Sequence, residues 1–209
     1  MGVYVGDKRY APYVGSTRRK VMTEKALPYD AEIEYLEGTG TQWLDTGVSI
    51  SNGIFAEYYG AFGSVSPIVS TDTTTVGQFF RVLINGYNIN PWKGSAGKYI
   101  RISPDQNVFY NIGHDTRNLS HKLYWNGELI LDEDTSSTLT NPYSICVFHD
   151  YGSVTKGKIR TLKLTDNNGD VVLDWKAVRV GQVGYMYDNI TGTLHGNDGE
   201  DNFILGSDL

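Results

Sequence analysis

Hydrophobic side chains recur along this chain in short alternating runs, not at the three-and-four spacing of helices. In 158–164 (KIRTLKL), Ile159, Thr161 and Lys163 fall on one side of an extended chain, and Arg160, Leu162 and Leu164 on the other. Asn167-Asn168-Gly169-Asp170 has the residue types that tolerate a tight turn. The Val-rich run 171–180, with one Trp, then reads as the returning strand. The same pattern recurs upstream. FAEYYGAF (55–62) puts Phe55, Glu57 and Tyr59 on one face, and QFFRVLI (78–84) turns at Asn85-Gly86 into 87–90. Strands are also expected at 108–112 and 143–148, with a hairpin of 121–125 and 128–131 across Asn126-Gly127. A short apolar strand is expected at 203–205. Trp43, Leu44 and Val48 are expected in the core. Roughly twelve to fourteen short strands and no helix describe an all-β, two-sheet antiparallel sandwich.

Three segments carry a resemblance. The opening EYLEGTGTQWLDTG (34–47), the hairpin LYWNGELI (123–130), and the ending with GYMYD (184–188) and GTLHGN (192–197) resemble LamG-like, concanavalin-type jelly-roll domains. The version is the one common in proteins of gut bacteria and their phages, and the likeness covers residues 32–206. It implies a jelly-roll fold and a habit of binding or display, and no reaction. The glycines of the ending are expected to mark turns, and Tyr185 and Tyr187 to plug the end of the core.

Residues 1–30 differ from the body. They hold Lys8, Arg9, Arg18, Arg19, Lys20 and Lys25, and two echoes, Tyr4-Val5-Gly6-Asp7 and Tyr13-Val14-Gly15-Ser16. Such segments resemble N-terminal pieces of phage structural proteins. That implies a β-arm gripping other virion proteins, with a homo-oligomer pairing its exposed edges. A solvated basic tail is the other reading. Leu27-Pro28-Tyr29-Asp30 is the expected linker, so the division is 1–30 arm and 31–209 jelly roll.

Composition narrows the partners. A net charge of −6 argues against nucleic acid, whose phosphates need a cationic field. Cys146 is the sole cysteine and sits in an apolar run, so no intrachain disulfide forms and a core position is expected. No stretch has the apolar length of a signal peptide or a membrane span. A lectin-like fold with no export signal suits a virion protein released by lysis. An extracellular or bacterial cell-surface protein is the alternative.

Candidate chemistry is sparse. There is no E-x-D-x-x-E run of a jelly-roll glucanase and no G-x-S-x-G elbow. His114, His121, His149 and His195 share no metal spacing. No catalytic residue is named and no enzyme is expected. No cofactor is required. Calcium is the ion the acidic turns would suit, with Asp166, Asn168 and Asp170 as oxygen ligands, although a hairpin tip needs the same residues. Sugar rings stack on exposed aromatics beside amides. Tyr58, Tyr87, Trp92 and Tyr151 are the candidates, with Asn88 and Asn90 nearby, against a purely structural use of tyrosine. The leading expectation is a non-enzymatic virion structural or adhesion protein, displaying a lectin-like jelly roll for decoration or host-glycan binding. The alternative is a carbohydrate-binding module of a bacterial surface or secreted protein.

Overall fold

The computed structural model describes residues 3–5, 8–10, 26–50, 53–63, 66–71, 73, 79–85, 88–102, 104–135, 139 and 143–209. Near the N-terminus, β1 (Val3–Val5) and β2 (Lys8–Tyr10) pair with each other as an antiparallel ribbon. The second echo, at 13–16, lies outside the described residues. The body runs β3 (Ala31–Glu32), β4 (Leu36–Thr39), β5 (Leu44–Ser49), β6 (Phe55–Phe62), β7 (Val69–Thr71), β8 (Phe79–Asn85), β9 (Asn88–Gly94) and β10 (Ala96–Gly97). It continues through β11 (Phe109–Asp115), β12 (Ser120–Trp125), β13 (Glu128–Asp134), β14 (Ser144–Val147), β15 (His149–Asp150) and β16 (Ser153–Val154). It finishes with β17 (Lys156–Thr165), β18 (Val171–Val180), β19 (Val183–Asp188), β20 (Leu194–His195) and β21 (Ile204–Leu205). A single helical turn at Arg117–Leu119 joins β11 to β12.

Apart from the β1–β2 and β15–β16 ribbons, these strands form two antiparallel sheets packed face to face, the sandwich the patterning predicts in the jelly-roll form the resemblance implies. The smaller sheet has the order β10-β9-β8-β7-β14-β5. The larger runs β13-β12-β11-β6-β17-β18-β19-β20, with β3, β4 and β21 extending it. Apolar side chains from both inner faces fill the space between, including Leu36, Leu44, Phe62, Phe80, Phe148, Leu162, Leu164 and Trp175. Cys146 is buried on β14, as its apolar run implies. Trp43 and Val48 are half-buried against the core, beside a fully buried Leu44.

Two local expectations need correction. Strict alternation across 158–164 fails, because the register slips between Ile159 and Thr161. That bulge turns Ile159 inward together with Leu162 and Leu164, and leaves Thr161 and Lys163 outside. The linker is also shorter than 27–30. Tyr29 packs its ring on Tyr187 at 5.0 Å, and Asp30 donates its N–H to the Arg179 carbonyl. Both residues therefore belong to the body.

One corner of the core is polar. The inward faces of β8 and β9 place Phe80 opposite Lys93, and those of β11 and β12 bring in His114 and His121. The Lys93 ammonium donates to the Ser120 carbonyl at 2.8 Å. Phe80 stacks on His114 at 4.6 Å, and the two imidazoles lie 5.4 Å apart. None of their four ring nitrogens has a hydrogen-bond partner among the described residues. Burial disfavours the charged form and pushes His121 down to about 4, with Lys93 pushing the same way. Burial also holds His114 well below the usual histidine range, reinforced by His121 and Lys93.

Candidate functional site

Strand pairing decides which side chains meet on the outer face of the larger sheet. Tyr124, Gly113, Glu57, Lys163 and Asp174 stand in register on β12, β11, β6, β17 and β18. One step along the strands, Asn111, Tyr59, Thr161, Lys176 and Tyr187 form a second row. The burial alternation of β6 confirms that Phe55, Glu57 and Tyr59 share the outer face. A groove of about 730 Å³ lies over the first row and over Asn111, Tyr59 and Thr161 of the second, within the range of ligand-binding clefts.

Gly113 shapes the groove floor. A Cβ there would lie 3.1 Å from the Phe55 ring and 3.2 Å from the Tyr124 Cβ. Its absence lets Phe55 and Tyr124 close to 5.9 Å between centroids across β11. The Arg117 guanidinium covers Phe55 at 5.1 Å, so that ring already has a polar neighbour. Arg117 is itself held by Asp115 through Nε–Oδ1 at 2.8 Å and Nη2–Oδ2 at 2.7 Å. That fork raises the Arg117 pKa, with the hydrogen bond as its main cause. Lys163 sits 3.9 Å from Glu57. The Asp174 carboxylate accepts a hydrogen bond from the Asn189 amide at 3.2 Å. Beyond Tyr59, the Phe109 ring at 5.1 Å and Tyr35 continue an aromatic band, with the Lys158 ammonium 4.6 Å from the Tyr35 ring.

Of the described residues singled out from sequence, Tyr58 borders the groove without turning its ring into it, and the others lie away from it. Tyr58 points into the core at 3% exposure, and its hydroxyl has no partner among the described residues. Burial raises its pKa. Tyr87 lies outside the described residues. Trp92 is half-buried on the smaller sheet, 5.9 Å from Phe79 and 5.4 Å from the Arg81 guanidinium. Arg81 also stacks on Phe79 and pairs with Asp150 at 2.9 Å. Tyr151 is 51% exposed and touches this cluster through Phe79 at 5.9 Å. Trp92 and Tyr151 thus flank one cluster, on the other sheet from the groove. Asn90 is buried, whereas Asn88 is half-exposed.

The acidic turn is accounted for locally. Asp166 Oδ1 accepts the backbone N–H of Asn168 at 2.8 Å and of Asp170 at 2.9 Å, and Oδ2 accepts the Asn168 side-chain amide. Gly169 supplies the left-handed φ of +89° that closes the β17–β18 hairpin. Among the described residues, no three or more His, Cys, Asp or Glu side chains converge as a metal site.

The ending motif does different work from that expected. Tyr185 and Tyr187 face outward, and Met186 enters the core. Gly184 is an extended strand residue whose added Cβ would meet Leu36 at 2.4 Å, so close packing and not a turn explains it. Gly192 does mark a turn, at φ +73°. Asp188 accepts from the backbone N–H of Asp174 and Ile190 and from the Thr191 hydroxyl. Asn197 accepts from the Trp43 and Gly199 N–H groups and donates to the Glu200 and Asp201 carbonyls. Asp198 accepts from Asp45 N–H, and Gln42 donates to the Asn202 carbonyl. The opening and ending motifs therefore interlock.

Neither a protein-family model nor a curated protein matches the sequence. Solved structures do match in fold. The chain is similar to the native heptameric SAP-like pentraxin of Limulus polyphemus at 12% identity, covering 84% of this chain and 89% of that one, with a TM-score of 0.50. It is also similar to a candidate carbohydrate binding protein of Bacteroides ovatus ATCC 8483 at 11% identity, covering 91% and 69%, with a TM-score of 0.55.

Proposed function

We propose that the protein is a non-catalytic carbohydrate-binding module that holds its glycan in the groove of the larger sheet. The observation that carries this is the groove itself. Tyr59 and Tyr124 offer half-exposed ring surface beside amide, carboxylate and ammonium groups, the mixture a pyranose needs for its apolar face and its hydroxyls. The fold is shared with a candidate carbohydrate binding protein, which favours this reading over the place on a virion that the arm suggests.

Binding is favoured over cleavage by what surrounds the carboxylates. A glycosidase needs one carboxyl group held protonated in an apolar or acidic setting. Here Asp115 is forked by Arg117, Glu57 faces Lys163, and Asp174 accepts from Asn189. Each carboxylate already has a donor or cation beside it, and none is set in an apolar or acidic enclosure.

A glycan array tests this directly. The full chain is expected to bind a related set of oligosaccharides. Tyr124→Ala should weaken that binding by tenfold or more, and Tyr151→Ala should leave it intact. No array signal, or a signal indifferent to Tyr124 and lost with Tyr151, would overturn the assignment.

A further inference from the structure

The charges lining the groove narrow the ligand further, on the premise that the groove is the glycan site. Two cations, Arg117 and Lys163, face three carboxylates, Glu57, Asp115 and Asp174. The guanidinium is committed, since Asp115 takes Nε and Nη2 and the remaining face lies over Phe55. Lys163 stands in register between Glu57 on one strand and Asp174 on the other. An acidic sugar is recognised through a cation free to form a charge-assisted, often bidentate pair. Among the lining residues each cation already faces a carboxylate, and one negative charge is left in excess. Carboxylates, in contrast, are strong acceptors for sugar hydroxyls, and Glu57 and Asp174 border the row.

We infer that the groove selects an uncharged oligosaccharide lying across the strands along the row from Tyr124 to Asp174, and rejects chains bearing carboxylate or sulfate. The row crosses four inter-strand steps of ~4.8 Å, ~19 Å in all, which is room for a short chain and not for a single ring. Tyr124 and Tyr59 take apolar sugar faces. Asn111, Glu57 and Asp174 take hydroxyl groups. Gly113 sits where the chain passes closest to the sheet, between Phe55 and Tyr124.

The experiment is calorimetric titration of the full chain with neutral oligosaccharides from cellulose, mannan and galactan, each beside uronate-bearing, sialylated or sulfated counterparts. A neutral chain should bind, and its acidic counterpart should bind at least tenfold more weakly. Acidic chains bound as tightly or more tightly would overturn this inference and leave glycan binding standing. If no neutral or acidic chain binds, glycan binding in the groove fails, and this inference fails with it. The variant Glu57→Gln/Asp174→Asn converts the excess to one positive charge, and its fold is checked by its thermal melt. It should narrow or reverse the gap between acidic and neutral chains. An unchanged gap in a folded variant would overturn the charge argument.

Discussion

Tyr58 and Tyr59 are neighbours with opposite fates. The first turns its side chain into the core at 3% exposure, while the second presents a half-exposed ring to the groove. Period-two geometry puts consecutive side chains on opposite faces. It does not say which face is interior, and β6 carries aromatic rings on both. Alternation alone therefore groups Phe55, Glu57 and Tyr59 on one face and leaves Tyr58 an equal candidate for exposure. The Tyr58 hydroxyl is buried without a partner among the described residues, an arrangement that costs about 1–3 kcal/mol. Tyr58→Phe is therefore expected to raise thermal stability slightly and leave glycan affinity unchanged. A loss of affinity in a folded Tyr58→Phe variant would place the phenol at the ligand. Lys93 shows the same limit from the other direction. A lysine beside a half-exposed Trp92 gives no hint in the sequence that its ammonium is buried on a carbonyl between the sheets.

At the scale of elements, turns were more legible than faces. Asn126-Gly127 forms its hairpin with positive φ at both residues, +50° and +84°, as the residue types require. The β17–β18 hairpin and the β8–β9 pair also sit where turn chemistry placed them. The bulge in β17 had no signal, because it adds a residue without any Gly or Pro to mark it. The groove was hidden for a related reason. Its residues come from five strands spread over more than a hundred positions, and only pairing register brings them into one row. The ending loop is held by Asn197, with four hydrogen bonds. At about 0.5–1.5 kcal/mol net for each, Asn197→Ala should cost about 2–6 kcal/mol in denaturant unfolding. A cost below about 1 kcal/mol would mean that water replaces the amide freely.

Across the whole molecule, the imidazole pair between the sheets makes stability depend on pH. The unfolded chain takes up protons at His114 and His121 as pH falls below about 6.5. The folded chain resists, with His121 lowered to about 4 and His114 lowered as well. Their contribution is complete above pH ~6.5 and is lost as pH falls toward 4, by up to ~1.4 kcal/mol per pH unit for each histidine. The surrounding charges act on the same corner. Lys93 and Lys98 oppose imidazole protonation, and Glu133 favours it, while Asp115 and Asp134 act on Lys93. Melting temperatures between pH 7 and 4.5 should fall steeply for the native chain and less steeply for His121→Leu. Equal slopes would assign the acid sensitivity elsewhere.

The interlock of the two end motifs has a consequence in time. Its hydrogen bonds join residues 153 to 160 positions apart. A ribosome delivers the early partner long before the late one, and domains generally fold as units. While the chain is being made, Thr41, Gln42 and Trp43 have no latch, and the edge of β4 that β21 will cover stays open. Contacts this distant along the chain slow folding, because loop closure is costly before it is rewarded. A chain cut before residue 197 would keep every strand of the groove and lose the partners that fasten its opening segment.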